Sequence, residues 1–120
     1  MTKENITIVG SGYVGMSLSV LLAQHNDVKI LEIDSNRVQK INKSKSTVAD
    51  KDIDLFLAEK ELSLKATLNK EEAYQKAHFI IIATPTDYDE ISNSFNTSAV
   101  DSVVKDALEL NSDALIVIKS

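Results

Sequence analysis

The sequence has no cysteine, so these residues contain no disulfide scaffold, no thiolate metal site and no thiol nucleophile. It also has no run of about 18 apolar residues, the length that a membrane-spanning helix requires. The first five residues lead straight into the apolar run 6–9, without the charged, apolar and cleavage regions of a secretory leader. We therefore expect a soluble cytoplasmic protein with no membrane partner.

Basic residues are fewer than acidic ones, with 13 Lys and Arg against 18 Asp and Glu and a net charge of −5. A nucleic-acid-binding surface needs a dense stripe of Lys and Arg to neutralise phosphates. The local basic cluster of Arg37, Lys40, Lys43 and Lys45 has the spacing of the solvent-facing side of a helix. The composition therefore predicts no nucleic-acid partner.

Glycine is scarce as well, and all three glycines lie within residues 10–15, in the order Gly-Ser-Gly-Tyr-Val-Gly. This stretch matches G-x-G-x-x-G and lies between a strand pattern and a helix pattern, the context that the motif requires. Gly10 permits a tight turn, Gly12 lets the backbone approach a pyrophosphate, and Gly15 lets the helix pack closely against the strand. The free N–H groups and the helix dipole then hold the phosphate charge. The alternative is a glycine turn needed only for packing.

Short apolar runs alternate with amphipathic stretches along the whole chain. Strands are predicted at 6–9, 28–33, 65–68, 79–83 and 114–118, with helices between them and a polar loop to about Asn96. The helix after Gly10 has Val14, Leu18, Leu21 and Leu22 on one face, and Asn69 with Glu72 reads as a capping box. Such alternation indicates parallel strands with right-handed crossovers, the last two strands being buried. We predict one α/β domain, 1–120, with a Rossmann-type doubly wound parallel sheet in three layers.

Glu32 lies at the carboxyl end of the second predicted strand, 22 positions after Gly10. A carboxylate there accepts hydrogen bonds from the adenosine ribose and repels a 2′-phosphate, which favours NAD over NADP. Glu32 could instead face solvent, with Asp34 taking the role. Arg37 lies near enough to approach the adenosine side, or it is an ordinary surface residue.

A second loop follows the strand at 79–83. It places Thr84 and Thr86 at the same sheet edge as the glycine turn, where their hydroxyls could bond the nicotinamide-side ribose or phosphate, while Pro85 stiffens the turn. Thr86 could instead only cap a turn. The three carboxylates within 87–90 favour a solvated acidic loop over a metal site.

The segments 8–17, 31–34, 81–86 and 117–120 together resemble the UDP-glucose/GDP-mannose dehydrogenase family, in matching order over nearly the whole chain. The resemblance implies an NAD-dependent enzyme that, at full length, oxidises UDP-glucose twice to UDP-glucuronate for polysaccharide biosynthesis. It also implies that Val14, Glu32, Arg37 and Thr86 contact the cofactor, with Glu32 standing where the family often has Asp. The family's later lysine, asparagine and nucleophilic cysteine are absent here, and the second oxidation passes through a thiohemiacetal on that cysteine. We therefore expect a truncated, inactive NAD-binding fragment that forms a homodimer only with the missing domains.

The predicted site has no catalytic residue and no metal ligand. Its cofactor-binding residues are Gly10, Ser11, Gly12, Tyr13, Val14, Gly15, Glu32, Arg37, Thr84 and Thr86. Three other functions stay open: a regulatory nucleotide-binding Rossmann module of the kind that gates potassium transport, a dehydrogenase of the same family that acts on another sugar nucleotide, and an oxidoreductase of another family with the same turn. The Thr-Pro-Thr loop and the abrupt end after Lys-Ser count against the first.

Overall fold

The computed structural model of the chain describes residues 4–59, 62–83, 87–89, 94–96 and 98–119. In chain order its elements are β1 (Asn5–Val9), α1 (Tyr13–Leu22), β2 (Asp27–Leu31), α2 (Ser35–Asn42), α3 (Lys51–Glu59), β3 (Leu64–Thr67), α4 (Lys70–Tyr74), β4 (Phe79–Ile82), β5 (Asp87–Asp89), β6 (Ser94–Asn96), α5 (Ser98–Leu110) and β7 (Leu115–Ile118). The predicted alternation of strands and helices is confirmed.

Five of these strands form one parallel sheet in the order β3-β2-β1-β4-β7. The chain builds outward from β1 to β2 and β3, and then returns to place β4 on the other side of β1. This reversal makes the gap between the carboxyl ends of β1 and β4 the topological switch point, where doubly wound sheets bind ligands. The predicted α/β class with a doubly wound parallel sheet is therefore confirmed.

Alternating side chains of the strands supply the two faces of the sheet. Ile8 points to one face and packs with Met16 of α1, whereas Ile80 and Ile82 point to the other face and pack with Tyr74 of α4. The first face is covered by α1, α2 and α3, and the second by α4 and α5. Because both faces bury apolar side chains against helices, the domain has the three layers that the sequence predicts.

The start of α4 departs in part from the predicted capping box. Asn69 caps the helix as expected, since its side chain accepts hydrogen bonds from the N–H groups of Glu71 and Glu72. The side chain of Glu72 does not return to the Asn69 N–H, which donates to Thr67 Oγ1 instead at 3.1 Å. Glu72 pairs with Lys65 at 2.9 Å and accepts a hydrogen bond from Thr67, and these two contacts lower the pKa of the Glu72 carboxyl.

Three predictions about apolar segments are wrong. The second strand ends at Leu31, and Ile33 is 93% exposed, because the chain turns where the Ile33 N–H donates to the Glu32 carboxylate. Leu21 is 61% exposed, since the buried side of α1 is centred on Met16 and Val20. The last strand is an edge strand, so Leu115 and Ile118 of β7 are exposed rather than buried.

The polar segment before α5 also differs from the prediction of a loop. Its described parts, β5 and β6, pair as a short antiparallel hairpin. Asp and Asn are depleted in strands, so the composition of this segment favoured a loop. The longest helix of the domain, α5, has 13 residues, and within the described ranges no helix is both long and apolar enough to cross a membrane.

Candidate functional site

The turn between β1 and α1 makes different demands on its three glycines. Gly10 has a φ of 103°, in the left-handed region that favours glycine. A Cβ on Gly15 would overlap the carbonyl oxygen of Gly10 and lie 3.0 Å from its carbonyl carbon. A Cβ on Gly12 would meet no atom of the described residues within 4 Å, and the φ of Gly12 is an ordinary −75°. Backbone conformation therefore requires glycine at 10 and packing requires it at 15, whereas Gly12 borders open space among the described residues.

The first helix begins with backbone amides that have no partner within the helix. Its first hydrogen bond runs from the Met16 N–H to the Gly12 carbonyl at 2.9 Å, so the N–H groups of Tyr13, Val14 and Gly15 precede the helical ladder. Gly12 occupies the N-cap and offers no side chain to accept from them. The side chain of Tyr13 is exposed and that of Val14 packs against the core. Among the described residues, this end of α1 thus presents N–H groups without an acceptor, together with the positive end of the helix dipole.

The carboxylate of Glu32 lies directly beside this turn. The backbone N–H of Gly10 donates to the Leu31 carbonyl at 3.0 Å, which brings Ser11 and Glu32 together at the ends of adjacent strands. The Ser11 hydroxyl, which is buried, donates to Oε1 of Glu32, and the N–H groups of Ile33 and Asp34 donate to Oε2 at 2.8 and 3.2 Å. Glu32 is only 8% exposed. These bonds fix the carboxylate at the carboxyl edge of the sheet, between the ends of β1 and β2, rather than in solvent.

Asp34 and Arg37 take different positions around Glu32. Asp34 caps α2, since its Oδ1 accepts from the Asn36 N–H at 2.9 Å, and its side chain is exposed. Arg37 places Nη1 3.7 Å from Oε1 of Glu32 and 3.5 Å from the Ser11 hydroxyl, with its side chain 44% exposed. The geometry therefore brings Arg37, but not Asp34, to the turn.

The second predicted loop is described only up to its first residue. Ala83 adjoins the glycine turn: its N–H donates to the Val9 carbonyl at 2.9 Å, and its Cβ lies 3.6 Å from the Cβ position on Gly15. Thr84 and Thr86 lie outside the described residues, as do the side chains of the acidic segment 87–90. Their predicted roles stay predictions.

Sequence reasoning missed one residue at this turn. Thr47, in the loop between α2 and α3, donates its hydroxyl hydrogen to the carbonyl oxygen of Ser11. The sequence around Thr47 is a polar stretch with no motif, and 36 residues separate the two partners. No local pattern could have indicated this contact.

The family of the chain follows from this arrangement and from one sequence comparison. The family model described as "UDP-glucose/GDP-mannose dehydrogenase family, NAD binding domain" matches residues 4–120. The chain belongs to this family. Residues 4–120 match the NAD-binding domain of the family, and the cofactor is NAD. Membership of this family excludes the regulatory module of the potassium-transport type.

Curated relatives carry the same assignment along nearly the whole chain. The chain is 48% identical over 115 residues to a UDP-glucose 6-dehydrogenase of Streptococcus pneumoniae, covering 96% of this chain and 29% of the relative. It is 45% identical over 117 residues to a UDP-glucose 6-dehydrogenase of Campylobacter jejuni, covering 96% and 30%. The chain therefore spans less than a third of the length of these relatives.

Solved structures of the same family share the fold. A UDP-glucose dehydrogenase from Pyrobaculum islandicum superposes with a TM-score of 0.87 at 18% identity, over 99% of this chain and 29% of that one. A GDP-mannose dehydrogenase from Pseudomonas aeruginosa, solved as a ternary complex, gives a TM-score of 0.83 at 20% identity, over 96% and 28%. At these identities the likeness concerns the fold alone, and it agrees with the Rossmann class.

Proposed function

We propose that this chain is the NAD-binding part of a UDP-glucose 6-dehydrogenase, an enzyme that oxidises UDP-glucose to UDP-glucuronate. The observation that carries the proposal is the open space over Gly12, beside the uncapped start of α1 and the buried carboxylate of Glu32. The two relatives at 48% and 45% identity, both named UDP-glucose 6-dehydrogenase, favour UDP-glucose over another sugar nucleotide of the family.

The residues of the turn fit the pyrophosphate of NAD. The N–H groups of Tyr13 and Val14 lack helical acceptors and are free to donate to phosphate oxygens, and the helix dipole favours the negative charge. A side chain on Gly12 would occupy the space from which the pyrophosphate approaches. Gly10 and Gly15 contribute by keeping the turn tight.

Glu32 and Arg37 fit the adenosine side of the cofactor. The Glu32 carboxylate is held so that it accepts hydrogen bonds from the ribose hydroxyls, while a 2′-phosphate beside it would be repelled. The half-exposed side chain of Arg37 places Nη1 3.7 Å from Oε1 of Glu32, beside the proposed position of the ribose. Bound NAD supplies the acceptor for the hydride that leaves the sugar, and the residues of this chain bind and orient it. Thr84 and Thr86 stay proposed contacts on the nicotinamide side.

The chemical steps require residues beyond those present here. The chain has no cysteine, and the family resemblance implies a cysteine nucleophile for the second oxidation. We therefore expect the 120 residues to bind NAD without turning over UDP-glucose. A homodimer of the longer enzyme and a cytoplasmic location likewise stay predictions.

Calorimetric titration of the chain with NAD and NADP tests the binding role. We expect saturable binding of NAD and affinity for NADP that is weaker by about tenfold or more, because one phosphate beside a buried carboxylate costs at least about 1.4 kcal/mol. Equal affinity for the two cofactors would contradict the role of Glu32. Formation of NADH from UDP-glucose by the chain alone would contradict the absence of catalytic residues.

A chimera tests the enzyme to which the domain belongs. The chain would replace the matching residues of the Streptococcus pneumoniae relative, whose remaining part supplies the rest of the enzyme. We expect this chimera to form NADH from UDP-glucose, and the same chimera with Gly12→Val to form none. A folded chimera that binds NAD but leaves UDP-glucose unoxidised would argue against the proposal.

A further inference from the structure

The backbone carbonyl and the side-chain hydroxyl of Ser11, in the glycine turn, each make a hydrogen bond to a different neighbouring segment. The carbonyl oxygen accepts the hydroxyl hydrogen of Thr47, and the Ser11 hydroxyl donates to the Glu32 carboxylate. Ser11 is 1% exposed and Thr47 is half-buried. Two hydrogen bonds on different groups of Ser11 therefore link the loop between α2 and α3 to the Glu32 carboxylate, which the proposed function places beside the adenosine ribose.

The loop that presents Thr47 is itself well fixed. Ser44 adopts the left-handed conformation with a φ of 60° and donates its N–H to the Ile41 carbonyl at 3.0 Å, which closes the end of α2. The Ser46 hydroxyl donates to the Val48 carbonyl at 2.7 Å and accepts from the Val48 N–H at 3.1 Å. Val48 packs against the core beneath the loop. These hydrogen bonds and this packing hold the loop in the position from which the Thr47 hydroxyl reaches Ser11.

We propose that Thr47 is a positioning residue of the NAD site, acting through Ser11 on Glu32. The inference rests on the proposed function of the domain. Because the peptide between Ser11 and Gly12 is planar, fixing its oxygen also fixes the direction of the Gly12 N–H and the entry of the chain into α1. Without the Thr47 hydroxyl, the Ser11 carbonyl loses its partner, and the backbone of Ser11 is held less firmly in the position from which its hydroxyl donates to Glu32.

A threonine that only stabilised its own loop would affect all ligands equally, so the test compares two ligands. NAD and its analogue lacking the 2′-hydroxyl of the adenosine ribose differ only in a group that Glu32 receives. Thr47→Val keeps the shape and removes the donor, whereas Thr47→Ser keeps the donor. Thr47→Ala is a second donorless variant in case the valine variant does not fold.

We expect the unmodified chain and Thr47→Ser to bind NAD about tenfold more tightly than the analogue, the value of one hydrogen bond to a charged group. In Thr47→Val, NAD affinity should fall by about tenfold and the preference over the analogue should shrink to roughly twofold. If Thr47→Val weakens both ligands by the same factor and keeps the preference, the positioning role is refuted.

A measurement without ligand separates this inference from the proposed function. In Thr47→Val, but not in Thr47→Ser, we expect displaced NMR signals for the Gly12 amide, which shares its peptide plane with the Ser11 carbonyl, and for the side-chain carboxyl of Glu32. Unchanged signals at both positions would overturn the inference whatever NAD does. A chain that showed these displacements but bound no NAD would support the link from Thr47 to Glu32 and contradict the proposed function instead.

Discussion

A Cβ on Gly15 would overlap the carbonyl oxygen of Gly10, so the start of the first helix lies against the end of the first strand with no room for a side chain. Gly12, between them, would accept a Cβ without any contact within 4 Å among the residues that the structure describes. The three glycines therefore divide into two that the fold requires and one that the fold does not. The packing of the described residues therefore does not require glycine at position 12.

Gly15→Ala should lower the free energy of unfolding by about 2–3 kcal/mol, because the new methyl group overlaps backbone that cannot move aside. Gly12→Ala is the matched control and should change it by less than about 0.5 kcal/mol, since its backbone is ordinary and its surroundings are open. Urea denaturation of the two variants measures both values. Equal destabilisation by the two substitutions would contradict the claim that the fold requires glycine at 15 but not at 12.

Glu32→Gln should weaken NAD binding by about tenfold and reduce the preference for NAD over NADP, because it keeps the shape of the side chain and removes its charge. Asp34→Ala is the control. It removes the cap of α2 and should cost about 1 kcal/mol of stability while leaving NAD affinity unchanged. Calorimetric titration of both variants decides between the two acids, and a loss of binding in Asp34→Ala alone would reverse their assignment.

Asn111→Ala should lower the free energy of unfolding by about 2 kcal/mol without changing NAD affinity. The side-chain amide of Asn111 donates to the carbonyls of Tyr74 and Ala77, each at 2.8 Å, and to that of Gln75 at 3.3 Å. It thereby joins the end of α5 to the turn before β4. This turn lies at the amino ends of the strands, whereas the glycine turn lies at their carboxyl ends. Ser112→Ala, at an exposed neighbouring position, is the control and should leave the denaturation midpoint nearly unchanged. If Ser112→Ala shifted the midpoint as much as Asn111→Ala, the hydrogen bonds of the Asn111 amide would not explain the loss of stability.

Tyr74→Phe should make the domain more resistant to alkali. Burial, together with the charge of Asp106, raises the pKa of Tyr74 from 10.0 to about 12. Since the raised value belongs to the folded state, the folded chain holds this proton more tightly than the unfolded chain. The contribution of the protonated Tyr74 hydroxyl to the free energy of unfolding is therefore fully present below pH 10 and is lost as the pH rises from 10 to about 12. Denaturation across this range should show a shallower decline in Tyr74→Phe, and parallel curves for the two proteins would contradict the assignment.

The parts of the site that depend on local sequence could be predicted. The spacing of Gly10, Gly12 and Gly15 between a strand and a helix predicted the turn, because all three glycines of the chain lie in this one motif. The position of Glu32 followed from the length of the second strand, although that strand ends two residues earlier than its apolar pattern indicates. The doubly wound parallel class of the sheet followed from the alternation of elements and the handedness of their crossovers.

The parts that depend on contacts between distant segments could not be predicted. Nothing near Thr47 distinguishes it from other polar loop residues, and its bond to Ser11 exists only because the loop between α2 and α3 lies over the turn. The exposure of Leu115 and Ile118 depends on the edge position of β7, which apolar composition cannot reveal. Periodicity alone also placed Leu21 on the wrong side of α1, since helix faces are defined by what packs on them.

The most direct test of the central claim is the affinity of Gly12→Val for NAD, measured by calorimetry beside the unmodified chain. The domain should fold with nearly unchanged stability, because the added side chain enters open space, and the affinity should fall by about a hundredfold or more as the branched side chain takes the place of the pyrophosphate. A folded Gly12→Val chain that binds NAD as tightly as the unmodified chain would show that the cofactor does not lie over this turn.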